Sequence, residues 1–245
     1  MHRLLIESES LKLDEPALSK EALRHLKVLR LQNGERIELF DGRGAWRTYA
    51  FAGGALSAVS RIATAPAPAK RLTLFACVTK GSRWDWTIEK ATELGVGRIV
   101  PVISERTIVR IPASERETKR ERWLRIAADA ARQCDAKWLP EVASPIDFSS
   151  SLELVRSCRC FVGALVSPPP RPLAQAVADA MNDTSKTDWG IFVGPEGDFT
   201  AAELSALLEI AEPTSFGPTI LRAETAAIFA LSILKGILEG KSIYE

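Results

Sequence analysis

The residues with the most chemical content lie between Ile191 and Ala230. A short apolar run, Ile191-Phe192-Val193, leads into Gly194-Pro195-Glu196-Gly197-Asp198-Phe199, a turn that no regular element can contain. Thr200 and Glu203 follow with the spacing of a capping box, which predicts a helix start. The stretch Ser215-Phe216-Gly217-Pro218-Thr219-Ile220-Leu221-Arg222-Ala223-Glu224-Thr225 repeats the scheme ahead of a helix over Ala226 to Leu238. Two glycine-containing loops that each feed a helix N-terminus can bring several free backbone amides to one small polar ligand. A single Gly-Pro turn is an ordinary connection; two of them, each placed just before a helix, make a candidate site.

Other chemistries find no footing. Gly95-Val96-Gly97 follows a helical pattern rather than a strand and lacks a third glycine in time, so it reads as a helix stop. There is no phosphate-binding lysine loop, no H-E-x-x-H and no G-x-S-x-G elbow. Cys77, Cys134, Cys158 and Cys160 show no metal spacing and only His2 and His25 are available, so no metal site is expected. Arg24, His25, Lys27 and Arg30 form a basic cluster that serves either as a solvated helix face or as a phosphate-contacting surface. Lys80-Gly81-Ser82-Arg83, where a strand gives way to a helix, carries the same two readings. Arg122, Arg125, Asp129 and Arg132 share one helical face, and Lys90 and Glu93 are spaced to pair.

The elements that must position these residues fall into two parts. Short strands are expected over Arg3 to Ile6, Ile37 to Phe40, Trp46 to Phe51 and Ala55 to Ile62, with a helix over Ser19 to Leu29 and glycine turns between. That pattern points to a small β-barrel. The run Ala63-Thr64-Ala65-Pro66-Ala67-Pro68-Ala69 reads as a stiff extended spacer, so domains 1–68 and 69–245 are expected. Beyond it, strands (Leu72 to Val78, Arg98 to Ile103, Phe161 to Val166, Ile191 to Val193) alternate with helices (Ser82 to Leu94, Ser114 to Arg132, Leu173 to Met181), the signature of an α/β domain with a mostly parallel sheet. Ser82 and Asp85 are spaced for a capping box. Residues 1–70 hold 11 Lys/Arg against 8 Asp/Glu and residues 71–245 hold 21 against 23, so any nucleic-acid surface must be a local patch. No apolar run of about 18 residues occurs, so no membrane span is expected. The early acidic residues Glu7 and Glu9 argue against a signal peptide, making a cytoplasmic location the expectation.

Several ordered blocks of the chain resemble one family. They are H-L-x-x-VLR from His25 with the LFDG at Leu39, Lys80 to Arg83 with Glu89 to Val96, Ser104-Glu105-Arg106, and the GPEG and ILR-x-ETA loops. Together they resemble the RsmE family of SPOUT-class RNA methyltransferases, which methylate N3 of a uridine in 16S rRNA of the small ribosomal subunit. The resemblance implies an N-terminal PUA-like β-barrel, a C-terminal SPOUT α/β domain with a trefoil knot, and a homodimer. It implies an S-adenosylmethionine site built from Leu165, Val166 and Ser167, from Gly194, Pro195, Glu196 and Gly197, and from Phe216, Gly217, Ile220, Leu221, Arg222 and Thr225. Arg222 would stabilise charge on the uracil, and Glu196 or Glu224 would accept its proton. Arg3, Arg24, Lys27, Arg30, Lys80, Arg83 and Arg106 would contact RNA. The chain departs from the family pattern at Asp198, where glycine is usual, at Lys137, which stands near a usual arginine, and at Phe216, which replaces a common leucine. A SPOUT enzyme with another RNA target, or an RNA-binding relative without cofactor, are the alternatives.

Overall fold

The computed structural model describes residues 1–183 and 186–240. Two compact units divide the chain: Met1–Pro68 together with Ala128–Leu139, and Ala69–Ala127 together with the chain from Pro140 onward.

The first unit contains β1 (His2–Leu5), α1 (Ser8–Leu11), α2 (Lys20–Leu29), β2 (Arg36–Phe40), β3 (Ala45–Ala52), β4 (Ala55–Ala58) and β5 (Ala63–Thr64). The sheet runs β1-β2-β3-β4, with β5 beside β3; β1 and β2 are parallel and the other pairs antiparallel. Its core gathers Leu4, Leu11, Leu26, Ile37, Leu39, Tyr49 and Leu56. Ser19 caps α2 by accepting from Ala22 N, and Arg30 ends it in a left-handed conformation (φ 50°). Tyr49 is fully buried, and its hydroxyl is satisfied by Leu11 O and Leu13 O.

Three expectations need correction in this unit. The strand over Ala55 to Ile62 stops at Ala58, because Ser60 Oγ accepts from Thr48 N (3.0 Å) and diverts the chain from the ladder. The spacer is not free: Ala63 and Thr64 pair with β3, Ala65 N donates to Gly44 O and Trp138 Nε1 donates to Pro66 O. An extended Ala-Pro run still has its alanine amides to offer to a sheet edge. Arg3 is not a surface cation. It faces Glu38 across the β1–β2 register, with Nε 2.7 Å from Glu38 Oε1, and its other nitrogens donate to Ala131 O and Ala136 O. Its side chain is 5% exposed and stacks on Phe40. Lys137 is likewise committed, to Glu38 and Asp135, over the ring of Trp46. His25 lies against Arg132 Nη1, and burial followed by that cation pushes its pKa down.

The second unit continues with β6 (Arg71–Cys77), α3 (Ser82–Glu93), β7 (Arg98–Ile103), α4 (Arg116–Gln133, whose residues from Ala128 belong to the first unit), β8 (Glu141–Val142), β9 (Ile146–Asp147), α5 (Phe148–Ser157) and β10 (Arg159–Gly163). Then come α6 (Leu173–Ala180), β11 (Asp188–Val193), α7 (Ala201–Leu208), β12 (Glu212–Thr214) and α8 (Ala223–Gly240). The sheet order is β12-β10-β11-β6-β7-β8, with β9 also on β7, and every pairing is parallel. Side chains alternate across it. Leu72, Leu74 and Ala76 join one core with α3, α4, α6 and α8, while Phe75 and Cys77 join another with α5 and α7. Both faces are covered, which explains why the strands read as continuous apolar runs. Each fully buried Leu or Phe contributes about 1.5–3 kcal/mol.

The expected Ser82/Asp85 capping box does not form. Gly81, at φ 65°, is the N-cap, and Asp85 pairs with Arg122 instead. Gly95 follows α3 at φ 73° as a helix stop, and Lys90 pairs with Glu93.

Arg3→Leu should lower the unfolding free energy by about 3 kcal/mol, because Glu38 loses one of its buried cationic partners. Urea denaturation followed by circular dichroism checks this; unchanged stability would return Arg3 to a surface role.

Candidate functional site

Because their pairing is parallel, β10, β11 and β12 deliver their carboxyl ends to one edge of the sheet, the place where open α/β sheets bind ligands. A cleft of about 300 Å³ opens there, lined by Gly163–Leu165, Val193–Glu196, Asp198, Thr214–Gly217 and Thr219–Ala223, with Ala226 at its base.

The first loop begins earlier than expected. β10 ends at Gly163 rather than running on to Val166, so Gly163, Ala164 and Leu165 line the cleft, and Val166 and Ser167 do not. Gly163 is required by proximity: a Cβ there would sit 2.5 Å from the Phe216 ring. The second loop is held at both ends. Phe199 is buried against Phe192 and Phe148. The capping box of α7 is complete, with Thr200 Oγ1 accepting from Glu203 N and Glu203 Oε2 from Thr200 N. Glu203 Oε1 also accepts from Glu105 N. Asp198 takes the left-handed conformation (φ 59°) that glycine would otherwise supply, and its Oδ1 accepts from Phe199 N. Asp198 faces the cleft and Gly197 does not; Gly197 turns toward Arg106, whose Nη1 donates to Gly197 O and Phe199 O. Arg106 is thus a brace for this loop.

In the third loop Ser215 Oγ accepts from Gly217 N, and Gly217 has φ 112°. Ile220 is 81% exposed on the cleft wall, beside Leu221 and Phe216. Arg222 lines the cleft and has no hydrogen-bond or ion-pair partner among the described residues for its guanidinium. Thr225 and Glu224 do not line it. Arg83 joins two loops: its Nη1 is 3.6 Å from Glu196 Oε1 and its Nε is 3.7 Å from Glu224 Oε1. Lys80 is exposed, as are Arg24, Lys27 and Arg30 on α2 of the first unit. Of the remaining α4 residues, Arg122 is spent on Asp85 and Arg132 on Asp129.

Sequence reasoning missed Gly163, Ala164, Val193, Thr214, Ser215 and Thr219. The signal for most of them was their position at or just past a strand end. Among the described residues no group of three His, Cys, Asp or Glu could hold a metal ion, and no helix is long and apolar enough to cross a membrane. What the cleft does offer is an apolar wall, unpaired amides in the first turn of α8, the carboxylates of Glu196 and Asp198, and the guanidinium of Arg222, which has no partner among the described residues. Such a lining suits a partly flat, partly polar molecule.

Residues 66–235 match the model of an RNA methyltransferase domain, and residues 18–54 that of an RNA methyltransferase PUA domain. Ribosomal RNA small subunit methyltransferase E of Synechocystis is 33% identical, over 97% of this chain and 78% of its own. The solved structure of ribosomal RNA small subunit methyltransferase E from Neisseria gonorrhoeae, bound to S-adenosyl methionine, is 26% identical with a TM-score of 0.80, covering 97% of this chain and 98% of that one. A structure from Legionella pneumophila, described as a methyltransferase in complex with its cofactor SAM, is 27% identical with a TM-score of 0.78 over 96% of each chain.

The three buried cysteines do not supply a nucleophile. Burial pushes the Cys77 thiol up to about 12, and the buried Cys158 and Cys160 thiols up as well. At about pH 8 roughly one Cys77 in ten thousand is then a thiolate. An alkylating reagent should modify the exposed Cys134 in the native protein and leave Cys77 untouched until denaturant is added, as read by mass spectrometry.

Proposed function

This chain belongs to the ribosomal RNA small subunit methyltransferase E family, and from that premise we propose that it methylates N3 of a specific uridine in 16S rRNA of the small ribosomal subunit. The chain is an S-adenosylmethionine-dependent rRNA methyltransferase. The observation that carries the finer reading is the convergence of three strand ends on one cleft holding both an unpartnered guanidinium and a carboxylate.

The cleft fits the cofactor. Ile220, Leu221 and Phe216 offer an apolar wall for a flat base, Gly163 admits the Phe216 ring that forms part of it, Gly217 leaves open space above its backbone, and free amides suit a polar end. When bound, S-adenosylmethionine supplies a methyl group on a cationic sulfur, a donor that needs positioning more than activation. The protein's own task is then the uracil. N3 must lose its proton, and the charge spreads to the flanking carbonyl oxygens. Glu196, which lines the cleft, accepts the proton directly or through water. Arg222, without a partner among the described residues, stabilises the charge. Glu224, which lies off the cleft, supports rather than accepts. The target uridine must be unstacked or unpaired, because a Watson–Crick pair hides N3.

The same reading makes residues 1–68 a PUA-like β-barrel and 69–245 a SPOUT domain with a trefoil knot, in a cytoplasmic homodimer acting on the small subunit. The PUA match supports the first part, and the parallel sheet with its clustered loops is compatible with the second. Exposed Arg24, Lys27, Arg30 and Lys80 provide phosphate contacts, while Arg3, Arg83 and Arg106 of the expected set are committed to partners within the protein.

Mass mapping of 16S rRNA from cells lacking the protein, before and after treatment with purified protein and S-adenosylmethionine, tests the reading. One restored N3-methyluridine is expected; methyl gain at another position, or on another RNA, would replace it. Arg222→Ala should cut turnover by about 100-fold or more with the fold intact; near-normal turnover would remove Arg222 from the mechanism.

A further inference from the structure

Arg83 is badly placed for the surface role that its sequence context suggests. It sits in the first turn of α3, where the helix dipole disfavours a cation, and it makes no capping hydrogen bond. Its partners are instead two carboxylates from the two ligand loops, Glu196 and Glu224. Glu224 is 12% exposed, and its Oε2 is buried without a hydrogen bond. A carboxylate so far out of water is strongly held to Arg83, its one cationic neighbour among the described residues. Glu196 is the member of the pair that lines the cleft. Arg83 itself is 46% exposed, open to solvent as Lys80 is, and what sets it apart is its contact with two carboxylates.

We propose that Arg83 is a positioning residue: Glu224 anchors its guanidinium, and the guanidinium in turn holds Glu196 toward the cleft. The proposal rests on the reading of Glu196 as proton acceptor. Both contacts, at 3.6 and 3.7 Å, are longer than charge-assisted hydrogen bonds of about 2.7–2.9 Å. The arrangement therefore acts through charge and has room to tighten when the cleft is filled, as catalytic contacts do on forming a reactive complex.

The test is steady-state methyl transfer from labelled S-adenosylmethionine to small subunits from cells lacking the protein. It compares the wild type with Arg83→Gln, Arg83→Lys, Glu224→Gln and the Arg83→Gln/Glu224→Gln double variant. Arg83→Gln should lower kcat by about 100-fold while KM for both substrates stays within about twofold. Arg83→Lys should recover part of that loss, since it keeps the charge but not the fork. Glu224→Gln should lower kcat too, and the double variant should be no slower than Arg83→Gln alone, because both act through one contact chain. A raised KM for the subunit at wild-type kcat would make Arg83 an RNA phosphate contact and overturn the proposal. Losses that multiply in the double variant, or wild-type kinetics for Arg83→Gln, would overturn it equally. If Arg83→Gln does not fold, the Arg83→Lys and Glu224→Gln kinetics decide between the same outcomes. The methylated position is read from the same samples. Transfer somewhere other than a uridine N3 corrects the reading of the substrate, while the variant-to-wild-type ratios still decide the role of Arg83.

Discussion

Parallel pairing is the constraint on which the second unit depends. A parallel strand can return to the same sheet only through a crossover, so its loops sort by end. Every loop after a carboxyl end of β10, β11 or β12 falls on one edge, and those loops carry nearly all of the cleft lining. The chemistry then needs little more than small residues where backbones approach and a few side chains whose charge is not already spent. Most arginines of this unit are spent, Arg122 on Asp85, Arg116 on Asp147 and Arg171 on Glu212. Arg222 differs in having no such partner among the described residues.

The first unit uses charge differently. Arg3, Glu38 and Lys137 form a largely buried cluster closed by two backbone carbonyls, with aromatic rings under both cations. Burying ions costs much unless every donor and acceptor is matched. Here the match is close for Arg3, since each of its guanidinium nitrogens has a partner. The departure at Lys137 belongs to this cluster and not to an open surface.

Local rules made much of the architecture legible. The Thr200 capping box, the glycine stop at Gly95 and the apolar runs of β6, β7 and β11 are short-range signals, and each yielded an element near its true bounds. What escaped depends on partners distant in sequence. Nothing near Arg3 announces Glu38, Ala131 or Ala136, and a cation near the chain start reads as solvated. The first cleft loop was displaced because an apolar run continues past Gly163, while the ladder with β12 ends at that residue. The Ser82/Asp85 spacing was a false cap, because Arg122 offered Asp85 a charged partner. The Gly-Pro loops were legible as turns because their spacing is itself local, while Glu196 and Arg222, singled out by resemblance, both line the cleft. The bridge formed by Arg83 was not legible, since its partners lie more than a hundred residues away.

The membership of Ala128–Leu139 in the first unit has a consequence for the order in which a growing chain folds. The amino-terminal strands leave the ribosome first, but the carbonyls that close around Arg3 and the indole that meets Pro66 arrive only with residues 131–138. At roughly 5–20 residues per second the early strands wait several seconds for those partners. During that interval half of the second unit's sheet is still unmade, because β10, β11 and β12 come later still. Vectorial synthesis therefore cannot finish one unit before starting the other, and the two must mature with overlapping timing.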